Sequence, residues 1–436
     1  MRDLPRKLNV VDGTALLVGT VIGSGIFVVP SLIAQRVPEP GLALAIWFFS
    51  GLLVLCGALT LAELGTMLPQ SGGLYVYMRE AYGPFLAFLY GWTIMMVVIP
   101  GSLAALTSAF LLYLQHFVPL TLGVEKALGI VLLFGLALVN ARGAKQGASV
   151  QNVFTFLKVT GLVSLVALAL ITQQGTTDHF LPVSPERFTP AVFAGVGVAM
   201  VSTLFAYDGW HFVGFVAGEM RDPHRTVPRS IFLGVAIVIT AYVTANLAYI
   251  FVLGQTRIAA SERVAADAMS SMIGPVGASL ITLAILCSTF GAISANVLAG
   301  PRVFFAMARD GAFFRPLATV HPRYETPANA IWSLTVWAAA LTLTGGYEHL
   351  ITMSQFVNWI FFTMVVLSVV VLRRKHPEWS RPYRVLGYPF TVAVFVVVSM
   401  AFVVNTLVES ARSALMGLTL LLIGVPVYLW SRRLRR

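Results

Sequence analysis

Residues 20–30 read TVIGSGIFVVP. They lie inside an apolar stretch running from Val10 to Ile33, in which Asp12 is the one charged residue. Gly23, Ser24 and Gly25 fall near its middle, and glycine is a poor helix former. In hydrocarbon no water repairs a freed backbone group. A helix weakened there must find its partners in protein or along a water-lined cavity. The decisive stretch is therefore a membrane helix interrupted where interruption is expensive.

The composition establishes that the solvent is lipid. Of 436 residues, 58% are hydrophobic and 11% charged, with mean hydropathy +0.84; soluble domains are about a quarter charged. Apolar runs of about twenty residues, each able to cross the hydrocarbon core as a helix, recur along the whole length. Twelve are expected: 11–36, 41–67, 83–113, 124–140, 151–172, 190–217, 230–254, 272–305, 328–345, 350–373, 388–406 and 411–431. The first lacks the small-residue cleavage site of a signal peptide and reads as a span. No gap between runs is long enough for a separate domain. Residues 1–436 are expected to form one polytopic, all-α membrane domain.

A net charge of +11 raises the possibility of a nucleic-acid partner, but the distribution of the charges points to a bilayer. With the N-terminus placed inside, 22 of the 29 Lys and Arg residues fall on the inner segments, six on the outer ones, and Lys158 within a span. This is the positive-inside pattern. It implies a multi-pass protein of a cytoplasmic membrane with both termini cytoplasmic, and no nucleic acid. Cys56 and Cys287 both lie within expected spans, and the seven histidines form no HExxH pattern. The sequence offers no metal-ligand spacing, disulfide framework or nucleophile–base constellation. No metal, cofactor or enzymatic activity is expected.

A second interruption matches the first. Residues 203–212 read TLFAYDGWHF and put Asp208 and Gly209 in the middle of the sixth span. An acid at membrane depth faces a cavity or a partner. Spans 1 and 6 are five apart, and an odd number of spans per half inverts the second half. The expected architecture is a 5+5 inverted repeat, 1–172 and 190–373, followed by spans 11 and 12 at 388–431. Paired broken spans at corresponding positions point to a transporter binding site near the midplane. Each half has a simpler reading: Gly19 and Gly23 also form a GxxxG packing motif, and Asp208 alone could cap a kink. Their matched positions favour the site.

The combination TVIGSGIF, AELGTMLPQSGGLYVYMREAYGP, LFAYDGWHFVGFVAGEMRDP, RVFFAMARDGAFF, TPANAI and NWIFF resembles the amino acid–polyamine–organocation transporter superfamily over essentially the whole chain. Within it the chain is most similar to the L-type amino acid transporter family, especially its bacterial members. That resemblance implies a LeuT-like fold with discontinuous spans 1 and 6.

The resemblance also implies roles. The substrate carboxylate would meet Gly23, Ser24 and Gly25, where close backbone approach and a half-helix N-terminus suit an anion. The ammonium would meet Val21, Phe205 and Asp208. Ile22, Ala206 and Gly209 would shape the pocket, Phe205 would gate it, and Trp210 and His211 would line its side-chain end. His211 reads equally as a core histidine, and Asp208 as a proton carrier or a backbone contributor. Lys158 resembles the lysine that replaces a sodium ion in sodium-coupled relatives, tying span 1 to span 8 near Ser288 and Thr289; a snorkelling lysine is the alternative. Tyr242 matches a tyrosine contacting span 1 or the lysine region, or else packs at the interface. Pro100, Gly101 and Ser102 are expected to bend span 3. Glu63, Arg79, Glu80, Glu219 and Arg309 either form inner-gate ion pairs or anchor helix ends, and the terminal SRRLRR is expected beside anionic headgroups.

The expected function is sodium-independent exchange of neutral L-amino acids across the cytoplasmic membrane by alternating access. Proton-coupled symport through Lys158 or Asp208 is the alternative, and a nutrient sensor is disfavoured by the short tails. Eukaryotic members of the family join a glycoprotein through a loop cysteine after span 3. LQHFVPLTLGVEK has none, so no disulfide-linked heavy chain is expected.

Overall fold

The computed structural model describes residues 3–344, 347–409 and 411–433. Residue 345, which closes the expected ninth span, and residues 434–436 of the SRRLRR tail lie outside them. The described chain is helical, and its one isolated extended pairing sets Leu8 beside Met220. In lipid this agrees with backbone accounting, because a helix satisfies its own N–H and C=O groups. Among the described residues, eight helices are long and apolar enough to cross a membrane, and the bent pair at 10–34 makes a ninth. Pro190–Ala206, Ala328–Leu343 and Ala414–Leu429, in the remaining expected spans, are shorter apolar helices.

Seven helices position the site. They are α1 (Val10–Val21), α2 (Gly25–Ala34), α3 (Ala144–Thr172), α4 (Pro190–Ala206), α5 (Phe212–Phe215), α6 (Pro223–Ala260) and α7 (Pro275–Ala299). α1 starts at a reciprocal cap: the Asn9 side chain accepts from Asp12 N–H, and the Asp12 carboxylate accepts from Asn9 N–H. It then runs through the middle of the bundle, packed on α3, α6 and α7.

Span 3 is irregular at the place where a bend is expected. Ile94–Val98 is a π turn directly ahead of Pro100. A proline cannot bond the carbonyl four residues back, which here belongs to Met96. The indole N–H of Trp337 donates to that carbonyl at 2.9 Å.

Ion pairs gather at the end of the bundle that carries the N-terminus. Arg302 and Glu219 are both fully buried and pair through two hydrogen bonds of 2.7 and 2.9 Å. Arg79 pairs with Asp310 and Glu80, Arg309 with Asp3, and Lys7 with Glu325. The Leu8 N–H donates to Glu219 O, and Arg221 N–H donates to Leu8 O, at 2.9 and 2.8 Å. Of the five residues read as gate pairs or helix anchors, Arg79, Glu80, Glu219 and Arg309 belong to this cluster of pairs. Glu63 instead holds Arg373 at 2.6 Å and the Val385 N–H at 2.7 Å.

Candidate functional site

Both expected breaks are present and face each other. α1 stops at Val21, α2 starts at Gly25, and the two axes differ by 42°. α4 stops at Ala206, and Tyr207–His211 turn before the single turn of α5. Gly209 has φ 111°, a left-handed conformation that glycine adopts without penalty. The breaks are in contact: a Cβ on Gly25 would lie 2.9 Å from Ala206 Cβ, and one on Gly209 would lie 2.9 Å from Thr20 Cβ. The two readings of the GxxxG pair also separate. Gly19 is a packing glycine, since its Cβ would fall on the Gln151 amide, whereas the nearest atom to a Cβ on Gly23 is 4.0 Å away.

Between the breaks lies a cavity of about 150 Å³. Val21, Gly23, Ser24, Gly25, Phe205, Ala206, Asp208, Gly209 and His211 all line it. Phe205 is 44% exposed at its rim. Gly23 N–H already donates to Val21 O at 2.8 Å, and Phe27 N–H donates to Ser24 O. Among the described residues no such backbone bond takes the N–H of Ser24, Gly25 or Ile26. These are the orphan donors that every helix start leaves, and they carry the partial positive end of α2. On the other side, Asp208 Oδ1 accepts from Gly209 N–H at 2.8 Å and lies 3.6 Å from His211 Nδ1. One break is thus rich in donors and the other carries a carboxylate.

Three polar side chains hold the carbonyls that the breaks release. The buried Lys158 ammonium donates to Gly19 O at 3.0 Å, Ile22 O at 2.6 Å and Ser288 O at 2.9 Å. An ammonium has three N–H groups, and all three are used. Ser288 Oγ lies within hydrogen-bonding distance of Ile22 O and Gly23 O. The Tyr242 hydroxyl lies 2.8 Å from Val21 O and 2.9 Å from Ala206 O, so one hydrogen serves both breaks.

Some expected residues are placed elsewhere. Ile22 is fully buried and meets Lys158 through its carbonyl. Thr289 bonds its own helix at Ile285 O and Leu286 O. Trp210 packs on Phe362 and Phe395, away from the cavity lining. His211 does line the cavity; its ring is wedged among Phe212, Phe215 and Phe362, and its Nδ1 has no hydrogen-bond partner among the described residues. Ser102, Leu106, Phe212 and Asn296 also line it. Asn296 was legible only as an amide in an apolar span.

Residues 8–426 match the amino acid permease family. The chain is 32% identical to the serine/threonine exchanger SteT of Bacillus subtilis, over 98% of this chain and 96% of the relative. It is 31% identical to the large neutral amino acids transporter small subunit 2 of Homo sapiens, over 98% and 80%. It is 29% identical to the cystine/glutamate transporter of Homo sapiens, over 99% and 87%.

Proposed function

Because this chain belongs to the amino acid permease family, and so is a multi-pass membrane transporter of amino acids and not an enzyme, we propose that it exchanges neutral L-amino acids by alternating access without sodium. The observation that carries this reading is the pair of facing breaks around one small cavity. The free N–H groups of Ser24 and Gly25 suit an α-carboxylate, and the gap is narrow enough for one molecule to touch both breaks. Asp208 and the carbonyls of Val21 and Phe205 suit the ammonium. Phe205 O accepts from Asp208 N–H, and Val21 O accepts from Gly23 N–H and shares the Tyr242 hydroxyl with Ala206 O, so an ammonium can bind Val21 O as that hydroxyl turns to Ala206 O. A cavity of about 150 Å³ has room for more than one water, which favours a small solute.

Lys158 removes the need for sodium. Its ammonium holds carbonyls of the first break and of α7, where a bound cation would otherwise be required. Gly23, with no free N–H, contributes room for backbone approach. Ser288 is the tether's partner, and Thr289 has no direct part in it. The whole chain forms twelve spans in a 5+5 inverted repeat with two additional spans. Both termini are cytoplasmic in a bacterial inner membrane, as the Lys and Arg distribution supports. No disulfide-linked partner is required.

Proton-coupled symport is the second reading, favoured by Asp208 and His211 facing one another at 3.6 Å on the cavity wall. Reconstitution into liposomes separates the two. We expect uptake of a radiolabelled neutral L-amino acid in sodium-free buffer only into vesicles preloaded with amino acid. Uptake into empty vesicles that grows with an inward proton gradient would establish symport, and uptake requiring sodium would refute the role given to Lys158.

A further inference from the structure

If access alternates, the closed end must open, and the contacts of α1 indicate where. α1 meets α3 along one stripe and α6 along another. Towards α3 it presents Asp12, Ala15, Gly19 and Ile22, spaced three or four apart and so on one helix face. The matching stripe of α3 is Lys145, Asn152, Thr155 and Lys158. Lys145 Nζ lies 2.8 and 2.6 Å from the two Asp12 carboxylate oxygens, and Asn152 Nδ2 lies 2.9 Å from one of them. Thr155 Oγ1 donates to Ala15 O at 3.0 Å, and Lys158 closes the ladder on Gly19 O and Ile22 O. The Asp12 side chain is 1% exposed, although Lys145 is 45% exposed. Gly19 removes the atoms that would keep the helices apart, as a Cβ there would sit 1.6 Å from Gln151 Nε2.

Towards α6 the packing is extensive, but the side-chain hydrogen bonds are weaker in kind. Ser230 Oγ donates to Val10 O at 3.1 Å, and the Tyr242 hydroxyl reaches Val21 O at 2.8 Å. Both bonds are neutral. Hydrogen bonds with an ionised partner are about twice as strong as neutral ones, and the α3 ladder has one at each end. The Leu8 pairing with Glu219 and Arg221 lies just ahead of α6, on the side that would part.

We propose that Asp12 and Lys145 are positioning residues that pin the first turn of α1 to the first turn of α3. The two helices then swing as one body, and the closed end opens between α1 and α6. Neither residue touches the cavity; they act by deciding which neighbour α1 moves with. The proposal rests on the alternating-access reading, and its test reports on the two separately.

Spin labels are placed at the exposed positions Val11, Ser149 and Arg229 by V11C/S149C and V11C/R229C, in protein whose Cys56 and Cys287 are replaced by alanine and which still transports. Distances are measured by pulsed electron resonance with and without amino acid. The expected result is a Val11–Ser149 distance that stays single and unchanged while Val11–Arg229 lengthens. Lengthening of Val11–Ser149 by as much as Val11–Arg229 would overturn the proposal. A Val11–Arg229 distance that stays fixed would overturn the alternating-access reading at this end, and the proposal with it. Lys145→Ala should cut the maximal exchange rate by about tenfold, leave KM unchanged and add a second Val11–Ser149 distance, with Lys145→Arg restoring the rate. A Lys145→Ala effect on KM alone would contradict a positioning role. The unsubstituted Asp12–Lys145 pair decides the question even if that variant does not fold.

Discussion

Lys158 shows how one side chain settles a local structure. A break in span 1 leaves carbonyls that hydrocarbon cannot satisfy, and the ammonium takes two of them together with one from α7. Lys158→Ala should therefore lower exchange by about a hundredfold, read as the initial rate at saturating substrate in protein that still purifies as a monodisperse species. A near-normal rate would exclude the tether. Tyr242→Phe removes the hydroxyl between Val21 O and Ala206 O and should cost about tenfold in the same assay. Lys158 was legible because it is the one Lys or Arg deep within an expected span. Thr289 and Trp210 were less so. Consecutive helical residues point about 100° apart, and at Ser288–Thr289 only the first faces α1. Sequence cannot supply that rotation without knowing which neighbour the helix meets. Trp210 sits in a turn beside His211, and its ring packs on Phe362 and Phe395 instead of facing the cavity.

The two breaks explain each other at the level of the helices. Glycine at 25 is required less for flexibility than for contact, because Ala206 leaves no room for a Cβ. Gly25→Ala must push α2 away from α4, and we expect loss of amino acid binding with retained helical content by circular dichroism. Binding within a fewfold of the parent would show that the two breaks need not touch. Both interruptions were visible in the sequence as small or charged residues inside apolar runs. The shape of the chain beyond the second break was not. After His211 the chain makes a four-residue helix and a short 3-10 turn ending at Glu219, because Glu219 must meet Arg302, more than eighty residues away. The π turn at Ile94–Val98 was equally hidden, since its carbonyl partner is Trp337 in another helix. Local sequence signals mark where a helix is weakened, and distant partners decide the form it takes.

Across the whole molecule the cavity and the closed end belong to one state. Phe205 is half-exposed at the cavity rim, while the buried Arg302–Glu219 pair closes the bundle towards the end that carries the N-terminus, and the pairs around Arg79 and Arg309 line a pocket outside it. Arg302→Ala leaves the Glu219 carboxylate buried without its partner, which costs about 3–5 kcal/mol. A clear fall in the thermal unfolding temperature in detergent should result, and an unchanged temperature would mean that this pair does not hold the end shut. The charge asymmetry predicts that cysteines at Lys7 and Arg323 react with an impermeant thiol reagent only from the cytoplasmic side of cells; labelling from outside would invert the topology. The central claim is that the facing breaks recognise the α-carboxylate and α-ammonium of one small amino acid. The most direct test is equilibrium competition against a bound radiolabelled amino acid, using the unlabelled amino acid, the amine lacking its carboxylate and the acid lacking its amino group. The account predicts competition by the intact amino acid and at least about tenfold weaker competition by either truncated analogue. Competition by either analogue as strong as that of the intact amino acid would contradict it.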